Sequence, residues 1–195
     1  KIGDKSFLGC SSLTQIKIPS SVKTIGNNSF HGCKSLIQIT LPSSITAIGN
    51  NSFFGCSSLT QIIIPSSVTS IGDNVFKECY SLKKISIPSS IQSYGDKIFD
   101  GIVELKIEGD IKHIPENLFK NCSTLQKISI PSSVTTIEDN SFSGCSSLIH
   151  TDFAFPSSVT SIGENCFREC NSLREITLPT SIPKSFTKIG KNAFY

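Results

Sequence analysis

The sequence has few of the features on which membrane insertion or nucleic-acid binding depends. Its 195 residues include no Trp and no Met, and charged residues make up only 17% of the chain, against roughly 25% in an average soluble domain. The net charge of +3 is small, and no basic run or aromatic and arginine stripe indicates nucleic acid. No stretch approaches the roughly 20 apolar residues that cross a bilayer. We therefore expect no nucleic-acid partner and no membrane insertion of this segment.

Residues that carry chemistry in other proteins are scattered here. His31, His113 and His150 occupy non-equivalent positions, and none has a nucleophile and an acid in a triad-like arrangement, so we interpret them as exposed loop residues. The sequence contains no C-x-x-C pair, Gly-rich phosphate loop or paired-carboxylate motif. It therefore predicts no enzyme activity, no catalytic residues, no metal site and no cofactor.

What the sequence does contain is a repeat. Five Phe residues are spaced 23 residues apart, and four more continue the series with local insertions and deletions: Phe7, Phe30, Phe53, Phe76, Phe99, Phe119, Phe142, Phe167 and Phe194. Each unit reads approximately L-x-x-I-x-I-P-S-S-V-x-x-I-G-x-N-x-F-x-x-C-x-S. One such coil cannot bury its apolar face alone, so neighbouring coils must stack and share a core. The Phe column is predicted to fill the interior.

The I-x-I-P segment of each unit predicts a short strand. Its β-branched residues, such as Ile62 and Ile64, alternate with period two, which suits a strand with one buried face. Equivalent strands of successive coils run the same way and form a parallel sheet. The closing Pro lacks an N–H and is expected to end each strand.

Gly follows the second Ile of most units, and two readings of it are open. A left-handed turn would need positive φ, which Gly tolerates. The equivalent residue is Pro115 in one unit and Glu138 in another, and the proline ring fixes φ near −65°. Positive φ is therefore not required, and close packing of the coils explains the Gly better.

Seven Cys residues lie three positions after a Phe: Cys10, Cys33, Cys56, Cys79, Cys122, Cys145 and Cys170. Either they form a redox or metal column or they are a ladder of buried thiols. We favour the ladder, because free Cys is among the most buried residue types and parallel stacked side chains have poor disulfide geometry. Cys166 is interpreted as a further packing residue.

The unit, with its I-P-S-S-V-x-x-I-G and F-x-x-C-x-S-L segments, resembles the BspA type of leucine-rich repeat. The resemblance covers essentially the whole chain. Members of this family are typically surface-exposed or secreted proteins of bacteria and protists, and they are associated with adhesion to host cells or matrix proteins. The resemblance implies the same location and role for this chain. The Asn of the familiar L-x-x-L-x-L-x-x-N signature is absent, and Ser pairs such as Ser20-Ser21 occupy that bend. We therefore expect hydroxyls, in place of an Asn ladder, to satisfy the turn.

The fold class expected is a leucine-rich-repeat solenoid of the α/β horseshoe type, rich in β structure. A parallel sheet lines the concave face, and short strands, tight turns and 3-10 turns form the convex face. Residues 1–195 are predicted to be one domain of about eight coils. The chain starts and stops inside a coil, so we interpret it as a fragment without terminal caps.

The outward residues of the predicted sheet are the candidate ligand-binding site: Lys17, Gln38, Gln61, Ile63, Lys84, Glu104, Lys106 and Lys127. Ile63 is apolar where its neighbours are polar, and Lys84, Lys106 and Lys127 form a basic cluster around Glu104. This combination favours an acidic, partly apolar partner. The function expected is an extracellular recognition or adhesion module, on the cell surface or secreted, that binds a protein such as a host matrix or cell-surface protein. A structural spacer and an intracellular scaffold remain alternatives. Asn27, Asn50 and Asn121 match the glycosylation acceptor pattern.

Overall fold

A computed structural model describes residues 1–149, 156–174 and 188–195. Within it the chain groups into two compact units, Lys1–Ile102 (unit 1) and Val103–Tyr195 (unit 2), and each is treated by itself below. The single domain of about eight coils stays a prediction.

Unit 1 contains two sets of parallel strands that recur once per coil. The longer set is β1 (Gln15–Lys17), β3 (Gln38–Thr40), β5 (Gln61–Ile63) and β7 (Lys84–Pro88), of which β1, β3 and β5 pair in that order. The shorter set is β2 (Thr24–Ile25), β4 (Ala47–Ile48), β6 (Ser70–Ile71) and β8 (Ser93–Tyr94), paired in chain order. The first three long strands end before their Pro, as expected, whereas β7 includes Pro88 as its last residue.

Unit 2 repeats the arrangement. Strand β9 (Glu104–Glu108) pairs in parallel with β11 (Lys127–Ser129). The short strands β10 (His113–Ile114), β12 (Thr136–Ile137), β13 (Ser161–Ile162) and β14 (Lys188–Ile189) form a second parallel sheet. The predicted parallel-sheet solenoid is therefore confirmed.

The side opposite the long strands is built from short strands and hydrogen-bonded turns. The described residues contain no helix, so the 3-10 turns expected on this side are not found among them. Within the same residues no helix is long and apolar enough to cross a membrane.

The Phe column forms the centre of each unit's core. Phe30, Phe53 and Phe76 are fully buried in unit 1, and Phe119 and Phe142 in unit 2. Successive rings stack nearly parallel, with 5.4 Å between the centroids of Phe30 and Phe53. The column is less complete than predicted at its two outer positions, because Phe7 is half-buried and Phe194 is 41% exposed. Those two residues lie in the first and last coils of the given sequence.

Close packing explains the Gly that follows the second Ile, as predicted. A Cβ on Gly72 would lie 2.6 Å from the backbone N of Asn50 in the preceding coil. Gly72 does not have positive φ. The left-handed conformation occurs two residues later instead, at Asn28 (φ 53) and Asn51 (φ 53), and Asn is one of the few residue types that adopts it readily.

Two ladders of side-chain hydrogen bonds tie the coils together. The Ser44 hydroxyl donates to the Val22 carbonyl at 2.6 Å, so hydroxyls do serve the bend as expected. A second ladder was not predicted: the Asn50 N–H donates to the Asn27 side-chain oxygen at 2.8 Å, and the Asp73 N–H donates to that of Asn50 at 2.9 Å. An Asn or Asp ladder therefore exists, but at the position after the Gly.

Candidate functional site

The outward side chains of the long strands in unit 1 form one surface, which we call the unit 1 strand face. Because strand side chains alternate, the burial of Ile39 and Ile62 turns their neighbours outward. The face consists of Gln15, Lys17, Gln38, Thr40, Gln61, Ile63, Lys84 and Ser86. The residues of this face that the sequence singled out, namely Lys17, Gln38, Gln61, Ile63 and Lys84, are all exposed.

The strand register arranges these side chains in two rows. Lys17 lies opposite Thr40, and Thr40 lies opposite Ile63. The second row joins the amides of Gln15, Gln38 and Gln61 in the same way. Neighbours within a row are separated by about 4.8 Å, the spacing of paired strands. The face therefore presents a cation, a hydroxyl and an apolar side chain in line, beside a line of amides.

A shallow depression of about 640 Å³ lies at the Lys17 end of this face. Lys17, Gln38 and Thr40 supply its polar groups, and Ile16, Ile18 and Pro42 are among its apolar residues. The opposite end of the line holds Ile63, whose side chain is 64% exposed. The depression and the exposed apolar side chain are two features of the face that a ligand could contact.

The unit 1 strand face has charge of one sign only. Lys17 and Lys84 are its charged members, and none of the outward side chains of β1, β3, β5 and β7, all of which lie in the described part of the chain, is acidic.

Across β9 and β11, the described long strands of unit 2, acidic and basic side chains balance, which the basic cluster expected from the sequence does not predict. Glu104 lies directly opposite Lys127 in the strand register. Lys106 forms an exposed ion pair with Glu108, with 3.6 Å between nitrogen and oxygen. Glu108 joins the face because β9 continues for five residues, where the I-P bend ends the first three long strands of unit 1. The Lys106 and Lys127 members of the predicted basic cluster therefore have acidic neighbours within unit 2.

The Cys column is a ladder of buried thiols, as predicted, with one exception. All eight thiols are free, and seven are buried. Burial raises the pKa of Cys33 to about 11 and that of Cys79 to about 12, and it raises the pKa of Cys56 further. Cys10 is exposed, contrary to the prediction.

The histidines differ from the expected exposed loop residues. His31 is half-buried and stacks on Phe54, with 4.8 Å between ring centroids. His113 is exposed but belongs to strand β10, and His150 lies outside the described residues. No group of three or more His, Cys, Asp or Glu among the described side chains is placed to hold a metal ion.

The three glycosylation patterns differ in their surroundings. Asn27 and Asn50 use their side-chain oxygens to bind the next coil, and the hydroxyl-bearing residues of those two patterns, Ser29 and Ser52, are fully buried. Asn121 is exposed.

Comparisons with known proteins agree with this architecture. A leucine-rich repeat protein from Bacteroides ovatus is 29% identical over 98% of this chain and 55% of its own, with a TM-score of 0.71. The T. pallidum leucine-rich repeat protein is 28% identical over 98% of this chain and 78% of its own, with a TM-score of 0.57. A third, from Eubacterium ventriosum, is 26% identical over 88% of this chain and 46% of its own, with a TM-score of 0.64. The chain thus spans about half the length of the first and third relatives.

The sequence also matches a described family, although no curated protein is a significant match. The BspA type leucine-rich repeat region occurs in six copies, over residues 1–107 and 100–195. These ranges take in the whole chain. Proteins of this repeat class are generally non-enzymatic interaction modules. The chain therefore belongs to the BspA type leucine-rich repeat family.

Proposed function

We propose that this chain is an extracellular recognition or adhesion module that binds a protein through the strand faces of its coils. The binding residues proposed are Lys17, Gln38, Gln61, Ile63 and Lys84 in unit 1, and Glu104, Lys106 and Lys127 in unit 2. Family membership supports a protein-interaction role. The ligand proposed is a host extracellular-matrix or cell-surface protein.

The exposure of Ile63 is the observation that carries this proposal. Its side chain is 64% exposed on a sheet face, and the equivalent residues of the two preceding coils are Lys17 and Thr40. Full burial of an Ile side chain stabilises by roughly 1.5–3 kcal/mol, and that stabilisation is available to a partner that covers it. Binding energy concentrates in a few central side chains of this kind.

The state of the thiols is compatible with a location on the cell surface or in the secreted fraction. Extracellular thiols are exposed to oxidation, and the thiolate is the reactive form. Seven of the eight thiols are buried, and burial raises the pKa of Cys170 to about 12. These thiols therefore remain protonated and shielded from oxidants without needing a reducing compartment.

A binding assay with matched variants tests the proposal. Purified matrix proteins such as fibronectin, laminin and fibrinogen would be immobilised, and binding of the wild-type chain measured by surface plasmon resonance. Ile63→Ser should weaken binding about tenfold, which corresponds to about 1.4 kcal/mol. Tyr80→Ser is the control, because Tyr80 is also 64% exposed but lies in a turn outside the strands.

Three outcomes would contradict the proposal. Failure of the wild-type chain to bind any matrix or cell-surface protein of the panel would favour a structural spacer. Equal loss of binding in Ile63→Ser and Tyr80→Ser, or loss in Tyr80→Ser alone, would place the binding surface elsewhere.

A further inference from the structure

We propose that Asn121 is a site of N-glycosylation, at which a sugar is joined to the side-chain nitrogen of the folded chain. Asn121 lies in a turn of unit 2, outside the strands. Three features single it out from the other acceptor patterns: a free side-chain amide, an exposed hydroxyl on Ser123, and a turn that gives access to both without any opening of the coils.

The amide of Asn121 is exposed, and its nitrogen is free to react. Its Oδ1 lies over Gly144 of the next coil, so close that a Cβ on that Gly would be 2.5 Å away. Its Nδ2 has no hydrogen-bond partner among residues 1–149, 156–174 and 188–195. An N-linked sugar is attached through this nitrogen, and the oxygen keeps its place beside Gly144 when the sugar is added.

Asn121 departs from the repeat in a way that the fold tolerates but does not need. The equivalent residue is Gly in most coils, such as Gly55 with φ 69 and Gly144 with φ 77, and Asn121 has φ 60. Asn is one of the few residue types with a side chain that adopts this conformation readily. The Asn at this position completes the pattern Asn-Cys-Ser, which matches the acceptor sequence for N-glycosylation.

The hydroxyl that the pattern requires also faces outward. Ser123 is exposed, whereas Cys122 between the two polar residues is only 3% exposed. The thiol therefore packs inside while the amide and the hydroxyl on either side of it lie on the surface. A glycosyltransferase finds both groups that it recognises presented together on the folded chain.

The other two acceptor patterns are closed in the folded chain. Both polar atoms of the Asn27 side chain form hydrogen bonds with neighbouring coils, Nδ2 at 3.4 Å and Oδ1 at 2.8 Å. The hydroxyls of the two patterns, on Ser29 and Ser52, are fully buried. Neighbouring coils have to separate before an enzyme reaches these hydroxyls, and such local opening costs free energy.

The substrate class is a sugar activated at C1 by a diphosphate. Nδ2 of Asn121 forms a bond to C1 as the bond from C1 to the diphosphate oxygen breaks. The diphosphate leaves with the bonding electron pair, and a base of the transferring enzyme takes one proton from Nδ2. Nothing is oxidised or reduced, and the amide remains uncharged.

A soluble N-glycosyltransferase with UDP-glucose as the donor tests the proposal. The native full chain and three reduced peptides, residues 22–33, 45–56 and 116–127, would be incubated with the enzyme, and each Asn quantified by mass spectrometry. All three peptides should be modified. In the native chain Asn121 should react about tenfold faster or more than Asn27 and Asn50, because each 1.4 kcal/mol of opening free energy slows modification by about a factor of ten.

Two variants locate the site and test its cause. Ser123→Ala should abolish modification of Asn121 without altering the backbone at residue 121. Gly55→Asn reproduces the Asn-Cys-Ser pattern in the equivalent turn of unit 1, where a new Cβ would have its nearest neighbour at 3.8 Å. This variant should take up a second glucose in its native state. Unchanged thermal unfolding would verify the fold of both variants.

The proposal is overturned if the peptide of residues 116–127 is not modified, or if that peptide is modified and the native chain is not. Modification of Asn27 or Asn50 in the native chain as fast as Asn121 would show that burial of the hydroxyls does not select the site. Absence of a second glucose on Gly55→Asn would show that the exposed turn is not what makes Asn121 available.

Discussion

The thiol of Cys56 donates a hydrogen bond to the carbonyl oxygen of Phe30, in the preceding coil, at 3.2 Å. That oxygen also accepts the backbone N–H of Cys33 at 3.2 Å, so it joins two coils. The same thiol bond links Cys79 to Phe53 at 3.1 Å. The Cys column is therefore a set of bonds between coils as well as a column of small apolar side chains.

One Cys should react with a thiol reagent much faster than the other seven in the native protein. Cys10 is exposed and the others are buried, so a thiol reagent at pH 8 should label one thiol of the native protein. Eight should react in denaturant without reductant. Cys10→Ser should abolish native labelling. Fast native labelling of several thiols would show that the column is accessible, and four or fewer thiols in the denatured protein would indicate disulfides.

Stability should fall at alkaline pH. Burial raises the pKa of Cys33 to about 11 and that of Cys79 to about 12, from 9.0. Above pH 9 the unfolded chain loses thiol protons that the folded chain retains, so unfolding releases protons and becomes more favourable as pH rises. The decline should span pH 9 to about 12, and each thiol contributes up to about 1.4 kcal/mol per pH unit.

Urea unfolding from pH 7 to 10.5 measures this decline. Cys79→Ala should lower the stability at pH 7 but flatten its alkaline slope. A slope that is unchanged in this variant would contradict the assignment to buried thiols.

A methyl group on the packed Gly should be damaging. In Gly72→Ala the new Cβ would lie 2.6 Å from the backbone N of Asn50, and two coils would have to separate. Overpacking of this kind destabilises by about 1–3 kcal/mol. Gly3→Ala is the matched control, because its Cβ would meet only the Ser6 hydroxyl at 3.3 Å. Equal urea midpoints for the two variants would contradict the close-packing explanation.

Glu78→Gly should stabilise the chain. Glu78 has φ 61, at the position where the equivalent Gly55 has φ 69, and the left-handed conformation costs a side-chain-bearing residue roughly 1–2 kcal/mol. The greater conformational freedom of Gly in the unfolded chain offsets about 0.5–1 kcal/mol of this gain, which leaves a net stabilisation of up to about 1.5 kcal/mol. Lys120→Gly, at a turn residue without positive φ, should destabilise. A thermal midpoint of Glu78→Gly below that of the wild-type chain would show that the backbone of Glu78 is not strained.

The repeat pattern was enough to predict the strands, the Phe column and the reason for the Gly. Close packing could be predicted as the reason for the Gly because the equivalent residues in two coils are Pro115 and Glu138, and neither residue type suits positive φ. The ladder of Asn27 and Asn50 does not follow from the familiar leucine-rich-repeat signature, because the Asn of that signature corresponds to the Ser bend. The Asn or Asp that follows Gly in successive coils was the available signal.

Other features depend on three-dimensional detail that a one-dimensional pattern lacks. The bond from Cys56 to Phe30 joins residues 26 positions apart, which is one repeat plus three residues, and the consensus gives no sign of it. The charge balance of unit 2 depends on how far β9 extends. Glu108 belongs to the face only because the strand continues past Ile107.

Lysine footprinting tests the central claim, recognition through the unit 1 strand face, most directly. The chain would be acetylated alone and in complex with the matrix protein that it binds, and the acetylation of each Lys would be quantified by mass spectrometry. We expect Lys17 and Lys84 to be labelled several-fold more slowly in the complex, while Lys23, which directly precedes β2, and Lys97, both exposed, are labelled at unchanged rates. Protection of Lys23 or Lys97 with no change at Lys17 and Lys84 would contradict the account.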